Sequence, residues 1–139
     1  MIQAFIPGIP QPQGSKAAFQ RGGKIVMVES NRKLPAWRKL VTEKLEAANA
    51  SCQPLEGAVA LDVMFFLPRP KSVKRQFPSV KPDLDKMIRS INDSAKDAGV
   101  VSDDSQVVEI VAYKCYADTE LPAGALVTFS KFIGVSLDK

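Results

Sequence analysis

A chain of 139 residues is one domain's worth of sequence, long enough to bury a core without disulfide or metal staples. Apolar residues at 45% and charged residues at 24% are globular proportions and exclude disorder, while a net charge of +4 and a pI near 9.1 fit a polyanionic partner. Histidine is absent, which excludes histidine acid–base catalysis and catalytic triads and argues against zinc; a metal bound here would be a hard cation held by carboxylates.

The start, MIQAFIPGIP, has no charged leader region, and no stretch is apolar for long enough to span a bilayer. Cys52 and Cys115 lie far apart with no CxxC pairing, as expected of two reduced packing thiols in a cytoplasmic protein.

Ile2 to Ile6 reads as a short strand, ended by the Pro/Gly-rich loop Pro7 to Gly14. Ala17 to Val28 reads as a hairpin turning at Arg21-Gly22-Gly23-Lys24. Ser30 or Asn31 is placed to cap a helix running to about Asn49, with Trp37, Leu40, Val41, Leu45 and Ala48 on one apolar face. In Ala58 to Leu67 the residues Val59, Leu61, Val63, Phe65 and Leu67 alternate as a strand, with Asp62 facing the other way, and Pro68 ends it. Arg69 to Lys81 is a proline-punctuated basic loop. Leu84, Met87, Ile88, Ile91 and Ala95 mark a second helix with Gly99 as its stop, and Gln106–Tyr116 and Ala125–Val135 read as closing strands. This order predicts an α+β domain, a mixed or antiparallel sheet with two helices against it.

The chemistry concentrates in Lys81-Pro82-Asp83-Leu84-Asp85 and Val101-Ser102-Asp103-Asp104-Ser105-Gln106. An i,i+2 acid pair faces one side in extended chain and diverges inside a helix, so Asp83 and Asp85 work together best where the chain enters the helix, with Leu84 turned inward. The helix N-terminus also favours carboxylates, so either acid pair alone would be an ordinary helix start or turn. The two pairs bracket one helix whose ends lie roughly 20 Å apart, so Asp104 approaches Asp83 only if the return turn folds back along it.

The stretch PDLDKMIRSINDSAKDAGVVSDDSQVVEI resembles the signature of the RusA family, D-x-D-N-x-x-K, a helix, then D-D-x-Q. The N-terminal PGIPQPQGSK is similar to phage-borne members. The resemblance implies that residues 1–139 form one nuclease domain acting in DNA recombination and repair, a homodimer that nicks paired strands of four-way (Holliday) junctions with Mg²⁺, or Mn²⁺ in its place. It puts the metal-site acids at Asp83, Asp85 and Asp104. Lys86 stands where the family usually has Asn, and Arg89 where many members have a lysine that activity depends on, which puts Arg89 beside Asp83, Asp85 and Asp104 among the catalytic candidates. Arginine keeps the charge and can clamp a phosphate but never deprotonates; Arg89 also lies four residues after Asp85, the spacing of a helix-surface ion pair.

Asp103 reads as a turn residue or as a support behind the metal ligands, Asp93 as an exposed helix acid at a position where the family has a recurrent acid, Gln106 as structural or as orienting a ligand, and Trp37 as core. Arg69, Lys71, Lys74, Arg75 and Lys81, with no acid among them, immediately precede the acid pair and make a phosphate-contacting loop, joined by Lys86 and Lys16 and extended by Arg21 and Lys24. Phe77 offers a stacking or wedging aromatic. Val127, Phe129, Phe132 and Ile133 serve equally as a dimer contact or as core. The competing readings are a nuclease for other branched or flapped DNA, a junction-binding protein that does not cut, and a structural Ca²⁺ site, the last opposed by the absence of an EF-hand loop.

Overall fold

The alternation in Val59–Leu67 gives the central strand of the fold, β4, whose residues Val59, Leu61, Val63, Phe65 and Leu67 are all buried while Asp62 is exposed on the opposite face. The structure is a computed structural model and describes residues 1–14 and 16–134. In chain order its elements are strands β1 (Ile2–Pro7), β2 (Lys16–Arg21) and β3 (Lys24–Glu29), helix α1 (Leu34–Ala48), β4, helix α2 (Leu84–Asp97), a 3-10 turn at Asp104–Gln106, and strands β5 (Val107–Tyr116) and β6 (Gly124–Lys131). This is the expected α+β domain. The expected strand end at Val135 lies outside the described residues.

One sheet has the strand order β1-β6-β4-β5, in which β1–β6 and β6–β4 are antiparallel and β4–β5 are parallel. The parallel pair with α2 between its strands in sequence is a β-α-β unit. β6 therefore lies in the middle of the sheet, and Val127 and Phe129 are wholly buried between β1 and β4. They belong to the core and are unavailable to a partner. Gly124 opens β6 because the chain there crowds β1: an added Cβ would meet the Ile6 carbonyl and lie 2.7 Å from the Phe5 ring.

Both helices cover one sheet face. α1 buries Leu34, Trp37, Val41 and Leu45, spaced three and four residues apart as a helical stripe requires. It begins later than predicted, because Asn31 closes a turn ahead of it by accepting from the Lys33 N–H at 3.1 Å, and Pro35 suits the first helical turn. α2 buries Met87, Ile91 and Ala95 together with Ser90 and Ser94. The two serines donate to carbonyls of their own helix, Met87 and Ser90, each at 2.8 Å, which satisfies their hydroxyls where water cannot reach. Gly99 at φ +74 stops α2, as predicted.

Cys52 departs from expectation: it is exposed, with φ +56, in the turn that follows α1, and only Cys115 is partly buried. The β2–β3 hairpin forms a separate two-stranded sheet with exposed Phe19, Ile25, Met27 and Val28. No helix among the described residues is long and apolar enough to cross a membrane.

Candidate active site

Asp83 is the N-cap of α2, in extended backbone at φ −70 and ψ 136, so Asp83 and Asp85 sit at the helix entry as the i,i+2 spacing requires. An ordinary N-cap aspartate would give its carboxylate to the first-turn N–H groups. Asp83 does not: its side chain makes no cap bond, and only its backbone carbonyl accepts from Met87 N, at 3.2 Å. Lys86 approaches the Asp83 carboxylate at 3.9 Å, a partly exposed pair worth about 0–1 kcal/mol, so neither group is locked to the other. Two exposed carboxylates therefore stand at one helix end without a side-chain cap bond.

The backbone leading into this pair is held firmly. Lys114 on β5 donates through Nζ to the carbonyls of Val80 and Pro82, at 2.6 and 2.8 Å. The acid pair consequently lies at the carboxyl end of the parallel strands β4 and β5, the edge at which α/β units characteristically bind ligands. The Lys81–Pro82 peptide is cis.

The N-terminal loop forms the opposite wall. Gln13 N donates to the Lys86 carbonyl at 2.9 Å and its side-chain amide to Asp93, while Asn31 donates to Gln11 Oε1 and the Pro12 carbonyl. Asp93, expected to be an exposed helix acid, thus tethers this loop to α2. Between loop and helix is a cleft of about 370 Å³ lined by Ile9, Pro10, Pro12, Lys81, Asp83 and Lys86. Two larger hollows of about 890 and 900 Å³ adjoin α1 and contain none of the three signature aspartates, whereas the smaller cleft contains Asp83. Arg89 lies against Gly14, 3.1 Å from where a Cβ would stand, one turn beyond Asp85.

Asp104 is elsewhere. Gln106 donates to the carbonyls of Leu55 and Gly57 ahead of β4 and accepts from the N–H groups of Ser102 and Asp103. Its structural role is thereby evident, and it fixes the 3-10 turn at the amino end of the sheet. Asp103 pairs with Lys96 of the last turn of α2 at 3.4 Å. The Ser105 hydroxyl, with help from Lys96, lowers the Asp103 carboxyl below its usual range, so this carboxylate is engaged in the turn. Asp104 beside it is exposed and forms no ion pair among the described residues. The 14 residues of α2 set it on the order of 20 Å from Asp83. No group of three or more acidic, cysteine or histidine side chains able to hold a metal occurs among the described residues. One chain sets Asp83 and Asp85 at the entry of α2 and leaves Asp104 beyond its other end.

The family model of endodeoxyribonuclease RusA matches residues 7–123. The chain belongs to the RusA endodeoxyribonuclease family. It is also 27% identical over 132 residues to the uncharacterized protein YqaN of Bacillus subtilis (strain 168), covering 84% of this chain and 89% of that protein. The RusA match includes the N-terminal loop, both acid blocks and the basic loop.

Within that basic loop the charges divide in two. Arg69 donates to the Val73, Arg75 and Gln76 carbonyls and stacks 4.3 Å from the Tyr116 ring centroid, while Arg75 donates to Tyr116 Oη at 2.9 Å. Both arginines shape the loop, which sequence could not reveal because their acceptors are backbone carbonyls and a distant tyrosine. Lys71, Lys74 and Lys81 are exposed, as are Lys16, Arg21 and Lys24 on the hairpin, and Phe77 projects at 58% exposure.

Proposed function

We propose that this RusA-family nuclease is a Mg²⁺-dependent resolvase of four-way DNA junctions that works as a symmetric homodimer, each site combining Asp83 and Asp85 of one chain with Asp104 of the other. The supporting observation is the pair of exposed carboxylates at the entry to α2, of which Asp83 lines a cleft together with Lys81 and Lys86. An all-carboxylate donor set with no histidine fits Mg²⁺, with Mn²⁺ as a substitute, and two carboxylates leave positions open for water and a phosphate oxygen. When bound, the metal supplies charge at the scissile phosphate and makes a coordinated water more acidic.

The separation of Asp104 from Asp83 asks for the second chain. β5 is an edge strand of ten residues with Val108, Ile110, Val111 and Tyr113 exposed. An unpaired, apolar edge of that length is a template for another strand. A two-fold axis crossing β5 lays two copies antiparallel, which carries the amino end of one β5, with its Asp104, toward the carboxyl end of the other, beside Asp83. Two such sites on symmetry-related strands match the paired nicks that a junction needs.

The protein's own groups then divide the work. Lys81 and Lys86 hold the phosphate on either side of Asp83, and Arg89, on the face of Asp85, adds fixed charge without exchanging a proton. Lys71, Lys74, Lys16, Arg21 and Lys24 contact more distant phosphates. Replacing Lys71 and Lys74 together by Ala is expected to lower the log–log slope of junction affinity against salt by up to about two, measured between 50 and 200 mM; an unchanged slope assigns them to solvent. The function itself is tested on a labelled four-way junction beside linear duplex and flap. Symmetric paired incision of the junction alone, only with divalent cation, is expected; equal cutting of the flap contradicts junction specificity.

A further inference from the structure

We infer that Lys114 is a positioning residue for the Asp83–Asp85 metal site, an inference that rests on the metal-binding reading above. Asp83 has two needs that oppose each other. Its carboxylate must stay free for a ligand, yet its position must be fixed closely. The usual device for fixing an N-cap, a side-chain bond to the first-turn N–H groups, would consume the carboxylate, and Asp83 does not use it. The backbone does the fixing instead. After Asp83 the helix holds its carbonyl through Met87 N. Before it, the chain is a loop with no ladder partner, and the Lys114 ammonium supplies the missing restraint by donating to the carbonyls of Val80 and Pro82.

Lys114 can do this because β5 is paired in register with β4, Lys114 beside Phe65, which gives its Cα a rigid base. On the same face of β5, Ala112 packs against the core and Ile110 is exposed, and Lys114 is the charged residue at the end of that face nearest the loop. Three rotatable donors on one charged nitrogen suit two carbonyl acceptors two residues apart in the chain. Supporting groups behind metal ligands commonly carry a 10–100-fold share of affinity.

The test measures Mn²⁺ binding by calorimetry on the full-length protein, with thermal melting without metal as the control for folding. Lys114→Met, similar in length but without donors, is expected to weaken Mn²⁺ binding by about 10–100-fold while junction affinity in metal-free buffer stays unchanged. Cleavage should recover in part at high Mn²⁺, and Lys114→Arg, which keeps charge and donors, should retain most of the affinity. Wild-type Mn²⁺ affinity in Lys114→Met overturns the inference. Should that variant not fold, Lys114→Gln, with one neutral donor group, decides on the same criterion. Failure of the wild-type protein to bind Mn²⁺ at all instead overturns the metal reading itself, and with it this role for Lys114.

Discussion

Asp83→Asn, Asp85→Asn and Asp104→Asn are each expected to reduce junction cleavage by at least about 10³-fold, equivalent to roughly 4 kcal/mol of lost transition-state stabilisation. Asparagine keeps the shape of each side chain and removes the charge a hard cation requires. Neither Asp83, Asp85 nor Asp104 caps a helix through its side chain, so the fold has little to lose: stability should stay within about 0.5 kcal/mol of wild type by urea denaturation. Junction affinity without metal should hold or improve, since each change removes negative charge near phosphate. Asp103→Asn is the contrasting control. Its carboxylate pairs with Lys96 and receives the Ser105 hydroxyl, so it should affect the local turn and leave cleavage within a few-fold of wild type. Cleavage near wild type in all three signature variants would remove the metal-site assignment.

Phe129→Ala is expected to cost about 3–5 kcal/mol of stability, the range for emptying a fully buried aromatic site. Phe129 stands on β6 opposite Ile2 of β1 and Leu61 of β4, so the void would open in the centre of the core. At about 3 °C per kcal/mol the melting temperature should fall by roughly 9–15 °C. Were Phe129 instead a dimer contact, the same variant would change the association state and keep the protomer folded. Urea denaturation together with light scattering separates the two: a lower midpoint with unchanged association is the expected result. A changed mass at unchanged midpoint would contradict the strand order.

That residue also shows where the sequence stops being legible. The period-two pattern of β4 and the helical spacing of α1 and α2 reveal the elements because those signals are local. Alternation in β6 identifies a strand but is silent on whether it lies at the edge or in the middle, since strand order is set by long-range pairing. Hence Val127 and Phe129 were as readable as an interface as they were as core. The acid pair was legible because i,i+2 spacing and Pro82 act locally. The placement of Asp104 was not: the fold-back along α2 happens in β5, after Asp104 has been left at the amino end of the sheet. Lys114 gave no signal at all, because its acceptors lie more than thirty residues away. Cys52 looked like a packing thiol by composition, yet the turn after α1 turns it to solvent.

The arrangement of three aspartates over two chains is the central claim, and subunit mixing tests it most directly. Asp83→Asn and Asp104→Asn proteins, each inactive alone, are unfolded together, refolded as mixed dimers and assayed on a cruciform-bearing supercoiled plasmid. With sites shared between chains, each mixed dimer contains one site with all three aspartates intact and one with two lost. Nicked circles should therefore appear, with little linear product because only one strand can be cut. A mixture of Asp83→Asn and Asp85→Asn, whose lesions always fall in separate sites, should remain inactive. Failure of the first mixture to nick, with mixed dimers demonstrated by an affinity tag carried on one variant only, would contradict a site built from both chains.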